Sequence, residues 1–509
     1  MNVIQSINGP VLTVCAARRG HTQGFAMAEM IRVGGLLGEV VSLRPGEATV
    51  QIYENTAGLK IGMTVEKLGM PMSITLRPGL IGGIFDGIFR DLRGGDGAEA
   101  EFSTVVTASV GDFLEAGDVF ALVEETPAIT YQATVPSGVK GKVVQAAQNG
   151  AYTAFFKIIR LETDKGEVEL SLSQKWAIRV PRPVRRRLSA SVPLITGQRV
   201  IDSLFPVAKG GTCAIPGGFG TGKTMTQHQI AKHCDADIII YIGCGERGNE
   251  MTEVLEDFAK LRDKKGLPLS SRTVLIANTS DMPVAAREAG IYTGITLAEC
   301  YRDMGYHVAV MADSTSRWAE ALRELSSRLE EIPAEEGYPA YLATRLSAFY
   351  SRAGYVENLN GTNGSVTIIG AVSPQGGDFA EPVTLHTKRF TGCFWALDRQ
   401  LAYARHFPAI NPLQSYSNFT TSLDAWYAKN VDTRFAEYRE KILATLIEES
   451  VLLETIKITG EEALSPADHE TLALAKKIRK TFTAQNAYDP TDTYTPLPIQ
   501  FEMMKSLCS

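Results

Sequence analysis

Gly217, Gly222, Lys223 and Thr224 stand at a spacing that suits the capture of anionic oxygens, since Gly217-Gly-Phe-Gly-Thr-Gly-Lys-Thr224 fits the pattern G-x-x-x-x-G-K-[ST]. The loop residues Gly218, Phe219, Gly220 and Thr221 lie between a short apolar strand and a helical pattern. Glycines there let backbone N–H groups curl around phosphate oxygens, and the helix N-terminus adds partial positive charge. Lys223 is expected to reach the β- and γ-phosphates of a nucleotide, and the Thr224 hydroxyl to bind Mg²⁺.

Two further strand ends bring acids. Gly243-Cys-Gly-Glu-Arg-Gly-Asn-Glu250 follows the apolar stretch ending at Ile242 and puts Glu246 and Arg247 on a loop beside the first. A carboxylate there can orient and deprotonate an attacking water, because phosphoryl transfer asks for positioning and charge stabilisation more than covalent chemistry. The bland alternative is a solvated helix start. Val308-Ala-Val-Met-Ala-Asp313 delivers a second acid, which can share a metal shell with Thr224 or merely cap the next helix. Phe407 and Tyr488 lie far from the loop in sequence, and periodicity gives no reason to separate them from ordinary core or turn aromatics.

The elements that must position these residues form an alternation. Strands are expected at 212–215, 238–242, 273–277, 308–312 and 366–369, and helices at 224–233, 251–264, 283–304 and 317–331. That pattern means a parallel sheet covered by helices, with ligands at the C-terminal strand ends. Before it, residues 1–70 read as a small β barrel of short alternating stretches such as 47–53. Residues 71–190 continue in β style as a linker and inserted β region, with glycine breaks at Gly94, Gly95 and Gly97. The run Arg179-Val-Pro-Arg-Pro-Val-Arg-Arg-Arg187 is expected to be a solvated, self-repelling linker stiffened by its two prolines. The nucleotide domain is placed at 191–415 and a C-terminal helical domain at 416–509. Amphipathic segments there cover 433–455 and 466–483, the second opened by Ser465-Pro-Ala-Asp468.

Bulk properties agree. At 509 residues the chain exceeds a single core, which stops growing at about 250–300 residues. With 44% hydrophobic and 21% charged residues it is a globular composition. A net charge of -6 disfavours a surface built to trap nucleic acid or anionic lipid. Seven cysteines without a Cys-x-x-Cys pair give neither a disulfide framework nor a zinc signature, which points to the cytosol. No stretch nears the ~18 apolar residues of a membrane span, so membrane association is expected through partners only.

Taken in order, these motifs resemble the catalytic A subunit of V-type and archaeal-type rotary ATPases. Besides the phosphate loop and the Glu246 and Asp313 segments, the resemblance rests on Leu36-Leu-Gly-Glu39, Tyr53-Glu-Asn-Thr-Ala-Gly58, Phe85-Asp-Gly-Ile88, Pro193-Leu-Ile-Thr-Gly-Gln-Arg-Val200, Ala277-Asn-Thr-Ser280, Glu336-Gly-Tyr-Pro-Ala-Tyr341 and Gln485-Asn-Ala-Tyr488. It implies a multidomain α/β fold with an N-terminal β barrel, a RecA-like P-loop domain, a helical C-terminal domain and a shortened β insertion (bulge). It implies an ATP hydrolase/synthase coupled to H⁺ or Na⁺ transport, with ATP and ADP as substrate and product and Mg²⁺ as cofactor. Partners would be B subunits in an alternating A3B3 ring, with central and peripheral stalks, on the cytoplasmic face of a membrane.

The resemblance also implies roles for single residues. Glu246 falls at the water-activating position, Arg247 at that of a nearby structural or phosphate-facing arginine, Asp313 in the magnesium shell, and Glu250 and Arg317 around the γ-phosphate. Phe407 and Tyr488 would pack on the two sides of adenine, with Gln485 in the same segment. The arginine that stabilises the transition state would come from the neighbouring B subunit. Gly218 replaces a common proline or alanine, Asn411-Pro412 the usual Asn-Trp, and Thr221 a cysteine of some relatives, so no thiol switch is expected in the loop. The segment between about Leu92 and Pro183 is shorter than usual in such subunits, and the chain ends soon after Tyr494, before the helical tail of longer relatives. Two other classes compete with this one. An RNA translocase similar to Rho would want a basic, aromatic-bearing barrel face that residues 1–70 lack, and a nucleotide-binding subunit without turnover would not need Lys223, Thr224, Glu246 and Asp313 together.

Overall fold

The computed structural model describes residues 2–16, 24–95, 99–262 and 266–508; the side chains of Glu250, Leu255, Asp257, Ala259 and Ala463 lie outside the described set. Gly97 and the last expected helical positions, 263–264, fall outside it too.

Six strands close the N-terminal barrel, in the order Asn2–Asn8, Val11–Ala16, Glu47–Ile52, Leu36–Arg44, Glu29–Val33, Thr64–Pro71. Their alternating side chains bury Ile4, Leu12, Val14, Ile31, Val40, Val50 and Ile52 inside, which is why short alternating stretches close on themselves. Next come two packed four-stranded sheets formed from residues 101–171. One holds Phe113–Leu114, Gly141–Ala146, Lys157–Thr163 and Gly166–Ser171; the other holds Ile129–Thr134, Val119–Thr126, Glu101–Val106 and Gly150–Thr153.

The central sheet runs, edge to edge, Tyr416–Ser417, Cys393–Phe394, Thr212–Pro216, Asn363–Val372, His307–Asp313, Ile238–Glu246, Thr273–Thr279 and Ile84–Phe85. All neighbours from Cys393–Phe394 to Ile84–Phe85 are parallel. Strands buried on both faces lose alternation, and Ile238–Glu246 is accordingly apolar along nearly its whole length. Helices α1 (Lys223–His233), α2 (Gly248–Lys260), α3 (Val284–Asp303) and α4 (Thr315–Arg328) cover the sheet. The edge strand Ile84–Phe85 comes from the segment linking barrel to sandwich, so part of 71–190 belongs to the sheet of the nucleotide domain.

Helices Thr420–Asn430, Phe435–Thr459, Pro466–Ile478 and Leu497–Cys508 make up the C-terminal part. Ser465 and Asp468 form a reciprocal capping box at the start of the third. The residues after Tyr494 are not a stub: Leu497–Cys508 packs back on the nucleotide domain, its buried Gln500 donating to Asp202 and accepting from the Ser203 hydroxyl.

The basic run 179–187 departs in part from the expected solvated, self-repelling linker: Arg185, Arg186 and Arg187 stay exposed, but every one of its arginines is paired. Arg179 makes a bidentate pair with Glu288 of α3 at 3.0 and 2.7 Å, reaches Glu39 of the barrel at 3.3 Å and lies over the Tyr292 ring. Arg182 pairs with Asp303 and covers Trp176; Arg185 and Arg186 share Glu357; Arg187 donates to the carbonyls of Ser351 and Ala353. Each guanidinium therefore meets an acid or carbonyl supplied by a segment remote in sequence, and the run stitches barrel to nucleotide domain.

Burial alone would push the Glu288 carboxyl up, but the Arg179 charge outweighs it and holds Glu288 below its ordinary value of 4.5. The contribution is full above that value and is lost as pH falls through the lower folded one. Arg179→Ala should leave buried Glu288 uncompensated and cost about 3 kcal/mol, the low end for a broken buried pair, since Arg179 is partly exposed. The check is the thermal midpoint of both chains from pH 7 down to 4: the gap between them should narrow at the acid end, and equal midpoints at pH 7 would rule the pair out as a structural tie.

Candidate active site

The loop 217–222 turns from the strand Thr212–Pro216 into α1, and its glycines are required by geometry. Gly220 and Gly222 hold φ of 76° and 89°, the left-handed region that side chains resist, and a Cβ on Gly217 would sit 2.5 Å from the Thr221 hydroxyl. Buried Thr221 donates to the Gly218 carbonyl at 2.8 Å and closes the turn. Phe219 projects outward, 85% exposed.

Lys223 opens α1, and its ammonium donates to the carbonyls of Gly217 and Gly218 at 2.8 and 2.9 Å, which holds it along the loop. Desolvation pulls the ammonium below its ordinary value, the carboxylates of Asp313 and Glu246 pull it back up, and the Arg317 charge lowers it further. The Thr224 hydroxyl donates to Asp313 Oδ2 at 2.8 Å, and the buried Tyr241 hydroxyl donates to the same oxygen at 3.0 Å. Asp313 therefore does more than end a strand, because Ser314 is the N-cap of α4 and the Asp313 carboxylate is turned toward the loop.

Glu246 is the last residue of the strand Ile238–Glu246, paired with Thr279 after a bulge at Gly245, whose φ is 99°, and Arg247 follows it. The strand is pressed against α2 so closely that a Cβ on Gly243 would lie 2.0 Å from the Met251 methyl. A cavity of about 450 Å³ gathers Lys223, Thr224, Glu246, Arg247, Asp313 and Arg317 with Phe219, Gly220 and Gly222. Arg317 is also paired with Glu320 at 3.0 Å. Glu250 begins in α2, but its side chain lies outside the described set.

Phe407, Gln485 and Tyr488 belong to a second cavity of about 680 Å³, which shares Gly220, Gly222 and Met225 with the first. A Cβ on Gly222 would lie 3.6 Å from the Phe407 ring, so this aromatic flanks the loop despite its distance in sequence. Tyr488, 81% exposed, stands on the rim. Gln485 lines the cavity but spends its amide on the backbone. It donates to Gly197 and Asp492, accepts from the Arg199 N–H, and its own N–H binds the Phe407 carbonyl at 2.7 Å. Its place is to tie the Tyr488 segment to Phe407.

Sequence reading missed the Ser373–Gly376 turn and Arg399 in the first cavity, and Arg405 and Lys480 in the second. A signal existed for the turn, because Ser373-Pro-Gln-Gly follows the parallel strand Asn363–Val372 at its ligand-facing end. Arg399 and Arg405 carry no spacing signal.

Loop, strand-end acids and parallel sheet together define a P-loop nucleotide-binding protein with an accessory barrel and helical domain. Comparisons narrow the class. Residues 197–417 match the nucleotide-binding domain of the ATP synthase alpha/beta family, 4–69 its beta-barrel domain, 97–179 its barrel-sandwich domain, and 424–509 the C-terminal domain of V and A type ATP synthase. The chain is 55% identical to the V-type ATP synthase alpha chain 2 of Clostridium tetani, over 100% of this chain and 88% of that one. It is 50% identical to the V-type ATP synthase alpha chain of Halothermothrix orenii, over 98% and 87%. In fold alone it is also similar, at a TM-score of 0.73 and 20% identity over 100% of both chains, to the assembled ATPase EscN of the enteropathogenic E. coli type III secretion system. The chain belongs to the family of V/A-type ATP synthase alpha chains, the catalytic A subunits.

Asp313→Ala should leave the Tyr241 hydroxyl buried without an acceptor and cost about 1–3 kcal/mol. Adding Tyr241→Phe should recover part of that loss. Unfolding of the three chains in denaturant measures both, and a double variant no more stable than Asp313→Ala would contradict the hydroxyl–carboxylate tie.

Proposed function

We propose that this catalytic subunit hydrolyses or synthesises ATP at the Lys223 cavity, in a rotary V/A-type ATP synthase that couples the chemistry to H⁺ or Na⁺ transport. The observation that carries the reading is the direct contact of Thr224 with Asp313, in a cavity that also holds Lys223 and Glu246.

A hydroxyl and a carboxylate are hard oxygen donors of the kind Mg²⁺ takes, and the pair fits that ion. No cluster of three or more His, Cys, Asp or Glu that could hold a metal occurs among the described residues. Mg²⁺ usually keeps waters and substrate phosphates beside one or two protein donors, and in this reading the nucleotide supplies them. When bound, Mg²⁺ neutralises charge on the phosphate oxygens. The loop N–H groups and Lys223 then hold the β- and γ-phosphates, with Arg247 and Arg317 on the same cavity to spread the developing charge. Glu246, at the end of the strand Ile238–Glu246, takes the proton of the attacking water in hydrolysis and returns it in synthesis. Phe407 and Tyr488 take the adenine between them, with Gln485 fixing their segment.

In this reading the ring is A3B3, a B subunit lends the transition-state arginine, and central and peripheral stalks join it to a membrane sector on the cytoplasmic face. No helix among the described residues is long and apolar enough to cross a membrane, which agrees with attachment through partners. In this reading the division at 70, 190 and 415 assigns the phosphate chemistry to the third part, with Tyr488 and Gln485 of the fourth completing the adenine side.

Glu246→Gln in the assembled complex should lower ATP hydrolysis by about 100-fold or more, the range of a lost general base, while Mg-ATP affinity stays within about twofold. Steady-state turnover and equilibrium titration read the two separately. Turnover equal to that of the unaltered complex would remove Glu246 from the mechanism.

A further inference from the structure

The phosphate cavity contains one cation that none of the roles above uses. Arg399 opens the short helix Arg399–Tyr403, and its backbone is fixed from both sides. Asp398 caps the helix by accepting from Gln400 and Leu401 N–H and also holds Asn411, while the Leu397 N–H donates to Pro216 at the end of the loop's own strand. The side chain then extends over the loop. A Cβ built on Gly218 would lie 3.0 Å from Nη2, 3.7 Å from Nε and 3.8 Å from Cζ, so the guanidinium covers the backbone of Gly218.

Its position along the loop selects one end of a nucleotide. Lys223, the residue aimed at the β- and γ-phosphates, donates to the carbonyls of Gly217 and Gly218, whereas Phe407 flanks the loop at Gly222. Arg399 lines the cavity of Lys223, Glu246 and Asp313, and it does not line the cavity of Phe407 and Tyr488. Among the described residues its guanidinium makes no hydrogen bond or ion pair, unlike Arg179, Arg182 and Arg317, which are committed to acids. A planar five-donor group anchored by its backbone is suited to bidentate recognition of phosphate.

We propose that Arg399 is a phosphate-binding residue of this site, its guanidinium gripping the β/γ end of the bound nucleotide across Gly218. The absence of a side chain at Gly218 is what lets the guanidinium lie this close. The proposal rests on the reading of the Lys223 cavity as the ATP site.

The test uses the full chain, titrated with Mg-ATP and with AMP, whose single phosphate stops short of the β/γ end. Arg399→Ala should weaken Mg-ATP binding by about tenfold or more, the scale of a lost charge-assisted hydrogen bond, and leave AMP affinity unchanged. Arg399→Lys should recover part of the ATP affinity, since it restores charge without the fork. Thermal midpoints of both variants should match that of the unaltered chain, because no bond within the protein is lost. Equal ATP affinity in Arg399→Ala, or equal losses for ATP and AMP, would overturn the proposal while leaving the ATP site in place. Failure of the unaltered chain to bind Mg-ATP would overturn both.

Discussion

One carboxylate fixes the relation between the parts of the site. Asp313 accepts from Thr224 on α1 and from Tyr241 on the strand that ends at Glu246, so a single oxygen registers the loop helix against that strand. The helix is held from a second side as Gln227 donates to the carbonyls of Ala312 and Ile369, on two neighbouring strands that lie beyond the loop's own. The spacing of donors around a phosphate has to be right to a fraction of an ångström. Here that precision comes from buried hydrogen bonds across the sheet, with the glycines supplying only permission for the backbone to curl.

This division explains what was legible in sequence. A phosphate loop is a local object, because its glycines, lysine and threonine must be contiguous, and strand-end acids follow from apolar runs that stop at a polar residue. Fold class, loop, Glu246 and Asp313 could therefore be read from short windows. The run 179–187 could not. Its character depends on Glu39, Glu288, Asp303 and Glu357, up to 172 positions away, and composition sees only like charges in a row. Opposite charges brought in by folding change the meaning of such a run, most of all at buried Arg182 and half-buried Arg179, where water screens the pairs least.

The same limit applies to Gln485 and Arg399, in opposite directions. Gln485 stands in a motif that draws attention, yet its amide is consumed by Gly197, Asp492 and Arg199, and what it contributes is placement of the Phe407 and Tyr488 segments. Arg399 sits in no motif, and only the close approach of its guanidinium to Gly218 brings it to the phosphate cavity. Motifs report which backbone shapes recur; side-chain commitments are decided by neighbours that folding brings in.

The two cavities differ in what holds them. The phosphate side is built by the central sheet and its first turns, and the linker reinforces it: the Gly87 N–H donates to Asn278, which in turn donates to the Gly243 carbonyl, two residues before Gly245 turns toward Glu246. A Cβ on Gly87 would lie 1.9 Å from the Ala286 carbonyl oxygen, so barrel linker, α3 and the strand of Glu246 are pressed into one block. The base side is shared, with Phe407 from the central part and Lys480, Ala484 and Tyr488 from the C-terminal part. A displacement of the C-terminal helices would therefore alter the cavity of Phe407 and Tyr488 first and reach that of Lys223 only through Gly220, Gly222 and Met225, where the cavities join. In the proposed reading, base grip and phosphoryl chemistry are in this way mounted on separate supports with one narrow coupling between them.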